Sequence, residues 1–268
     1  MDGRRNRVLR TLLDALHDVD RVCQALGVTY WIDSGTLLGA VREGSPIPWD
    51  DDVDLCMLPR DIERFVSAAP ALLGPAYLVQ TPHDDPAITS TVKVYINGTH
   101  APSAFHALHQ LPAPAHDGLF IDIMTVVPVS TSAVLRRIER AMALLVQTAS
   151  YAAHMARSPA LPRGVQRTKW WLVAQLPGWL TRLLERWLTW RQSKRDGNLL
   201  GIGAAGIWAA MPREVIFPLS PQRLGGLTLP GPADPDAYLR AEFGDDYMTP
   251  PPEHARETHT ELVTFDEP

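Results

Sequence analysis

WIDSGTLLGAVREGSPIPWDDDVDLCM, residues 31–57, is the stretch from which the rest of the chain is read. Asp50, Asp51, Asp52 and Asp54 place four carboxylates within five positions. A folded protein keeps such a group only if something positive sits among them or if they splay into water. From Asp52 to Met57 polar residues alternate with apolar ones before the run turns wholly apolar. That is the period of a strand, with Asp52 and Asp54 on one face and Val53 and Leu55 on the core face. Two carboxylates aimed the same way from a stiff element are hard oxygen ligands suited to Mg²⁺ or Mn²⁺, ions that commonly complete their shell with substrate phosphates. The pattern points to a nucleotide-like substrate.

The flanks agree with this reading. Ile47-Pro48-Trp49 holds the approach to the acidic run extended, because the residue before a proline is kept out of helical geometry. Upstream, Thr29 to Ile32 reads as an apolar strand. Ser34-Gly35-Thr36 then turns into a short helical stretch, Leu37 to Arg42, and free backbone N–H groups at such a turn favour anions. A run of aspartates is ordinarily a solvated loop. Here a strand, a Gly-Thr turn at short spacing and Arg42 as a counter-charge argue for a site. Asp50 leads the strand on the side of Asp52 and Asp54, to reach a metal or to orient Arg42, and Asp51 points away.

Outside this stretch, residues 5–26 carry Leu9, Leu12, Leu13, Leu16, Val19, Cys23 and Leu26 at helical spacing, with Gly27 as a stop. Pro59 to Ala69 reads as a second helix with Asp61 and Glu63 in its first turn. Tyr77–Thr81 and Thr91–Asn97 are strands. In the latter, Lys93 and Tyr95 share one face, so Lys93 either meets a diphosphate beside Asp52 and Asp54 or lies in solvent on an edge. Residues 97–117 form a long connection with His100, His106, His109 and His116, read as a flap over the acceptor site, since their spacing matches no standard zinc site. Asp122 stands in the apolar strand Gly118–Val127, where an unpartnered carboxylate is costly to bury. It either turns to solvent at a strand end or completes the metal site.

GTLLGAVREGSPIPWDDDVDL resembles the signature of LicD-type proteins, which include phosphorylcholine transferases of bacterial glycans and fukutin-related ribitol-phosphate transferases. The resemblance implies an α/β (α+β) nucleotidyltransferase-like fold, with a mixed twisted sheet, flanking helices and a helical insertion. In that superfamily a Gly-Ser/Thr turn, matched by Gly35 and Thr36, precedes a DxD strand, matched by Asp52 and Asp54, and a third acidic strand, matched at Asp122. It further implies a basic residue at Lys93 and a metal-dependent transfer of a phosphoalcohol group from a CDP-alcohol donor to a sugar, glycan or lipid-linked glycan acceptor, with CMP leaving. Asp52, Asp54 and Asp122 would hold Mg²⁺ (or Mn²⁺), and Gly35, Thr36, Arg42, Lys93 and Asp50 would face substrate. The closing pattern also matches, from Met211-Pro212 through Asp236-Ala237-Tyr238-Leu239 to Gly244, Asp245 and Tyr247, with Arg256 and His259 as further phosphate contacts or simply tail anchors. A nucleotidyltransferase moving NMP from an NTP, or a catalytically silent nucleotide-binding domain, keeps the same motifs.

Composition sets the bounds. The chain has 268 residues, 46% of them hydrophobic and 21% charged, enough for one sizeable core. We expect a single domain over 1–268 with a helical insertion at about 131–195. A net charge of −5 and a pI near 6.0 leave no basic footprint for nucleic acid. Cys23 and Cys56 read as small core residues in a reducing, cytoplasmic compartment. No apolar run is long enough to span a membrane. Ser132–Arg157 reads as a helix covering the sheet with Val134, Ile138, Met142, Leu145 and Ala149. Residues 163–195 combine Trp170, Trp171, Trp179, Trp187 and Trp190 with many Arg and Lys around Pro177-Gly178. That composition fits either a packed hairpin with a basic solvent face or a peripheral contact with the inner membrane face.

Overall fold

The computed structural model describes residues 3–81, 84, 91–111, 115–149, 151–161, 164–203, 206–256, 260 and 262–266. Helix α1 (Gly3–Leu26) leads into β1 (Tyr30–Ile32), α2 (Ser34–Arg42), β2 (Val53–Met57) and α3 (Pro59–Leu73). Then follow β3 (Tyr77–Gln80), β4 (Val92–Ile96), β5 (Thr99–His100), α4 (Ala104–His109) and β6 (Phe120–Pro128). Helices α5 (Ala133–Ala149), α6 (Ala152–Arg157), α7 (Val165–Ala174) and α8 (Gly178–Ser193) separate β6 from β7 (Leu199–Ile202) and β8 (Ala209–Pro212). The chain closes with α9 (Arg213–Ile216), the hairpin β9 (Ser220–Leu224) and β10 (Leu227–Gly231), α10 (Pro235–Phe243) and β11 (Thr264–Phe265).

The main sheet runs β1-β2-β6-β4-β3, with β7 on the last residues of β6 and β8 beyond it. Among the described residues only β2 and β6 are parallel; the other pairs in this sheet are antiparallel. A parallel pair needs a long crossover. Here β3, β4, β5 and α3 lie between the two strands in sequence, which brings residues 53–57 beside 121–125. This is the mixed α/β sheet with flanking helices that the sequence led us to expect.

Helix α1 ends at Gly27, whose φ of +61° suits glycine. Its buried face is rotated slightly from expectation, with Val8, Ala15 and Val22 joining Leu12, Leu16, Val19 and Cys23. The main core gathers buried residues from Val8 to Val263, including Leu16, Trp31, Leu55, Phe65, Ile121 and Tyr238. The C-terminal third contributes to it directly, because α10 and β9 pack on α2 and β10 packs on β1.

Two expectations change. The connection 97–117 is not bare loop: it contains β5, paired with β11, and the short helix α4, while residues 112–114 lie outside the described set. Helix α5 does not turn Val134 and Ile138 toward the sheet, for both are exposed; it buries Glu139 and Ala143. Its main partner is α8, from which Arg191, together with Arg195 just past the helix end, binds the Glu139 carboxylate at 2.9 and 2.6 Å. A paired charge and a small side chain, not the apolar stripe, select the packed face.

Candidate active site

The site forms where β2, β6 and β4 lie side by side. Asp54 and Asp122 are register partners on the parallel strands β2 and β6, so their side chains share a face. Lys93 faces Asp122 across the antiparallel pair β4 and β6. Asp52, one residue before β2, completes a group with Asp54 and Asp122 in which one carboxylate oxygen from each lies within 4.8 Å of the others. Asp50, Asp51 and Asp52 form a second such group.

Asp122 is held from two sides. The Lys93 ammonium donates to its Oδ1 at 2.6 Å and the Thr91 hydroxyl donates to the same oxygen at 3.0 Å. The ammonium also lies 3.4 Å from the centre of the Phe120 ring. Of the two readings of Asp122, the structure places it among the carboxylates. Lys93 sits in the same group, partly buried beside Asp122.

Thr36 and Gly35 act on the carboxylates through geometry. The Thr36 hydroxyl is buried and accepts the Asp54 backbone N–H at 2.9 Å, which ties the first turn of α2 to the strand carrying Asp54. A Cβ on Gly35 would stand 2.5 Å from Asp50 Oδ2, so only glycine lets that carboxylate approach the helix. Arg42 is directed elsewhere: its guanidinium pairs with Glu43 at 3.0 Å and lies 5.8 Å from the Trp49 ring centre. Asp51 turns to the C-terminal segment, where its Oδ2 accepts the Thr260 N–H at 2.8 Å and the Thr260 hydroxyl. Arg256 stacks over Trp49 at 4.2 Å, and His259 lies outside the described residues.

The electrostatics are those of a site short of positive charge. Burial pushes the Asp54 carboxyl well above the usual carboxylate range, and the charges of Asp52, Asp122, Asp33 and Asp50 push it further. Asp50 is raised to about 8, first by burial and then by Asp52, with which it shares a hydrogen bond. Carboxylates this close keep protons unless a cation neutralises them. The donor set is all hard oxygen, so a divalent ion of the Mg²⁺ or Mn²⁺ class fits it and a thiophilic one does not. Three of the four histidines of 97–117 go elsewhere: His100 to Asp117 and Asp266, His109 to Ser158, and His116 against Tyr95.

A buried layer behind the site was not foreseen. Asp33 is fully buried, accepts the Tyr238 hydroxyl, and keeps one oxygen without a partner among the described residues. Ser34 donates to Glu242, and Trp31 Nε1 donates to the Tyr238 hydroxyl at 3.2 Å. Burial and then the charge of Asp33 raise Glu242 to about 8. The sequence signal was faint: an aspartate closing an apolar strand, and Tyr238 and Glu242 one helical turn apart.

Residues 27–85 match the family model described as LicD/FKTN/FKRP, nucleotidyltransferase domain. Ribitol 5-phosphate transferase FKRP of Homo sapiens is 48% identical over 54 residues, 20% of this chain and 11% of that protein. Lipopolysaccharide cholinephosphotransferase LicD of Haemophilus influenzae is 39% identical over 59 residues, 22% of this chain and 21% of that protein. An uncharacterized protein of Rickettsia typhi is 34% identical over 70 residues, 26% of this chain and 23% of that protein. The chain thus matches between about a tenth and a quarter of the length of these relatives. The matched part holds Asp33, Gly35, Thr36, Arg42 and the whole acidic run. The resemblance to LicD-type proteins read from the motifs is borne out over residues 27–85.

Proposed function

We propose that this chain, a LicD-type protein by residues 27–85, is a divalent-metal-dependent transferase. It moves a phosphoalcohol group from a CDP-alcohol to a hydroxyl of a sugar, glycan or lipid-linked glycan, and releases CMP. Residues 1–268 are read as one nucleotidyltransferase-like domain with a helical insertion at about 131–195. The observation that carries the proposal is the convergence of Asp52, Asp54 and Asp122, with Lys93, on neighbouring strands. The two unpaired, buried thiols Cys23 and Cys56 fit a reducing, cytoplasmic setting.

In this reading Asp52, Asp54 and Asp122 hold Mg²⁺ or Mn²⁺. Such an ion would neutralise the donor diphosphate and stabilise the charge that develops on the leaving phosphate. The acceptor oxygen attacks the phosphorus that bears the alcohol, the bond to the bridging oxygen breaks, and CMP carries that oxygen away. Asp122, fixed by Lys93 and Thr91, takes the hydroxyl proton. Lys93 adds positive charge beside the diphosphate. Gly35 keeps the first turn of α2 open to Asp50, and Thr36 holds the strand that aims Asp54.

The test incubates the protein with Mg²⁺, a panel of CDP-alcohols and glycan acceptors, and follows CMP by chromatography. CMP should form only with metal and a matched donor. Asp54→Asn should lower its release by about 100-fold or more and leave metal-free thermal stability equal or higher, because a desolvated, repelled carboxylate is removed. Pyrophosphate release from an NTP, with no CMP from any CDP-alcohol, would replace this reading with nucleotidyl transfer. Unchanged turnover in Asp54→Asn would remove the site assignment.

A further inference from the structure

Residues 131–196 contain twelve Lys and Arg against three Asp and Glu, a local charge of +9 in a chain whose total is −5. The remainder therefore carries −14, and the positive charge of the molecule is concentrated in the helices between β6 and β7. One of the three acids, Glu139, is buried and already paired with Arg191 and Arg195. With that group of one acid and two arginines set aside, the rest of the segment still carries +8.

The same segment exposes large apolar side chains. On α8, Trp179, Leu183 and Trp190 recur at i, i+4 and i+11, so they line one face, with exposures of 63, 56 and 58%. Arg182 and Arg186 are exposed on and beside that face, and Trp187 flanks it. The opposite face carries Leu188, buried against Ala143 and Ile207, and Arg191, bound to Glu139. Helix α8 is therefore already packed on its inner side, and its Trp-Leu-Arg face is additional. Trp171 and Leu172 on α7, and Val134 and Ile138 on α5, are exposed in the same helical segment. No helix among the described residues is long and apolar enough to cross a membrane.

We propose that the helical insertion docks the protein on an anionic lipid surface, with Trp179, Leu183 and Trp190 entering the headgroup region and Arg182 and Arg186 meeting lipid phosphates. Indole rings prefer that depth because they are apolar in body and carry one N–H donor. Arginine and lysine near an anionic bilayer gain from its surface potential within a Debye length. The acidic remainder, at −14, is repelled by the same surface, so the charge division orients the molecule with the insertion toward lipid. Charge complementarity selects this occupant over a neutral apolar one. Docking of this kind makes no use of the transferase reaction, and its test needs no donor or acceptor.

The 268-residue chain is sedimented with vesicles of phosphatidylglycerol and phosphatidylcholine and, in parallel, with phosphatidylcholine alone. Binding to the anionic vesicles is expected, with weak or no binding to the neutral ones. The bound fraction should fall as salt rises and the Debye length shrinks below about 8 Å. The double variant Trp179→Ser/Trp190→Ser should lower partitioning by about tenfold, and Arg182→Glu/Arg186→Glu should do the same while keeping the native circular dichroism. If the tryptophan variant fails to fold, the lipid and salt comparisons on the wild-type chain still decide. Absence of binding by folded protein, or undiminished binding by the charge-reversed variant, overturns the proposal. So does concentration-dependent self-association through this face, seen by light scattering without vesicle binding, which would make a second copy the occupant.

Discussion

Asp50 and Glu242 carry their protons for related reasons, and their pH behaviour separates the metal site from the layer behind it. Asp50 is raised to about 8 by burial and then by Asp52; Glu242 is raised to about 8 by burial and then by Asp33. A carboxyl whose folded value exceeds its unfolded one contributes stability that is full below the unfolded value and is lost as pH rises through the folded one. The metal-free protein should therefore lose stability steadily between about pH 4 and pH 8, and the loss should level off above the folded values. Mg²⁺ changes only one of the two groups' circumstances. It competes with protons for the Asp50–Asp52–Asp54 cluster, so its stabilising effect should grow from pH 6 to pH 8.5. Glu242→Gln should flatten the metal-insensitive part of the slope and leave the Mg²⁺ response in place. Thermal midpoints across that range, with and without Mg²⁺, check both; a Mg²⁺ effect independent of pH would argue against proton-bearing carboxylates at the site.

Among the elements, those with a local period were legible and those fixed by distant partners were not. The alternation through Asp52–Met57 and the apolar run around Asp122 located β2 and β6, and the helical spacing of Leu12, Leu16 and Val19 located α1, because each pattern reports on its own segment. The stripe on α5 was equally visible and was misread, since periodicity shows that a face is apolar and not what it meets. Glu139 won that contest through Arg191 and Arg195, more than 50 residues away in sequence. Lys93 and Asp122 were each legible as candidates, but their 2.6 Å contact depends on a strand order no local pattern encodes. The lock of α10 on α2 is more remote still, joining Tyr238 to Asp33 across 205 positions and Ser34 to Glu242 across 208. Tyr238→Phe tests that lock. It removes the hydroxyl that Asp33 accepts and that Trp31 donates to, leaving buried polar groups unpaired at a cost of about 1–3 kcal/mol. We expect a lower urea midpoint with an unchanged slope. A midpoint equal to wild type would mean that α10 holds α2 by apolar contact alone.

Among the described residues the buried apolar side chains form two cores of unequal size. The first runs through both ends of the chain, from α1 to Val263, and encloses the strands that carry the carboxylates. The second consists of Ala143, Leu188 and Ile207 with Met142 against them, and is supplemented by Glu139 between Arg191 and Arg195. With Ala152 and Met155 of α6 also buried, the described residues of the insertion still bury far fewer apolar groups than the main core, too few to offset the ordering of four helices by a wide margin. Local opening of the insertion should therefore cost much less free energy than unfolding of the sheet. Hydrogen exchange is expected to be faster across 133–193 than across β2 and β6. Glu139→Ala should widen that difference, because it leaves two arginines without their buried partner, a loss of about 3–5 kcal/mol for a broken buried pair. Exchange in α5 and α8 would then rise while β2 and β6 keep their protection, and CMP release on a soluble acceptor would persist, since Glu139, Arg191 and Arg195 lie on α5 and at the C-terminal end of α8, not on the strands that carry the acidic group. If Glu139→Ala instead loosens β2 and β6 to the same degree, the two cores unfold as one unit and the insertion is part of the catalytic scaffold.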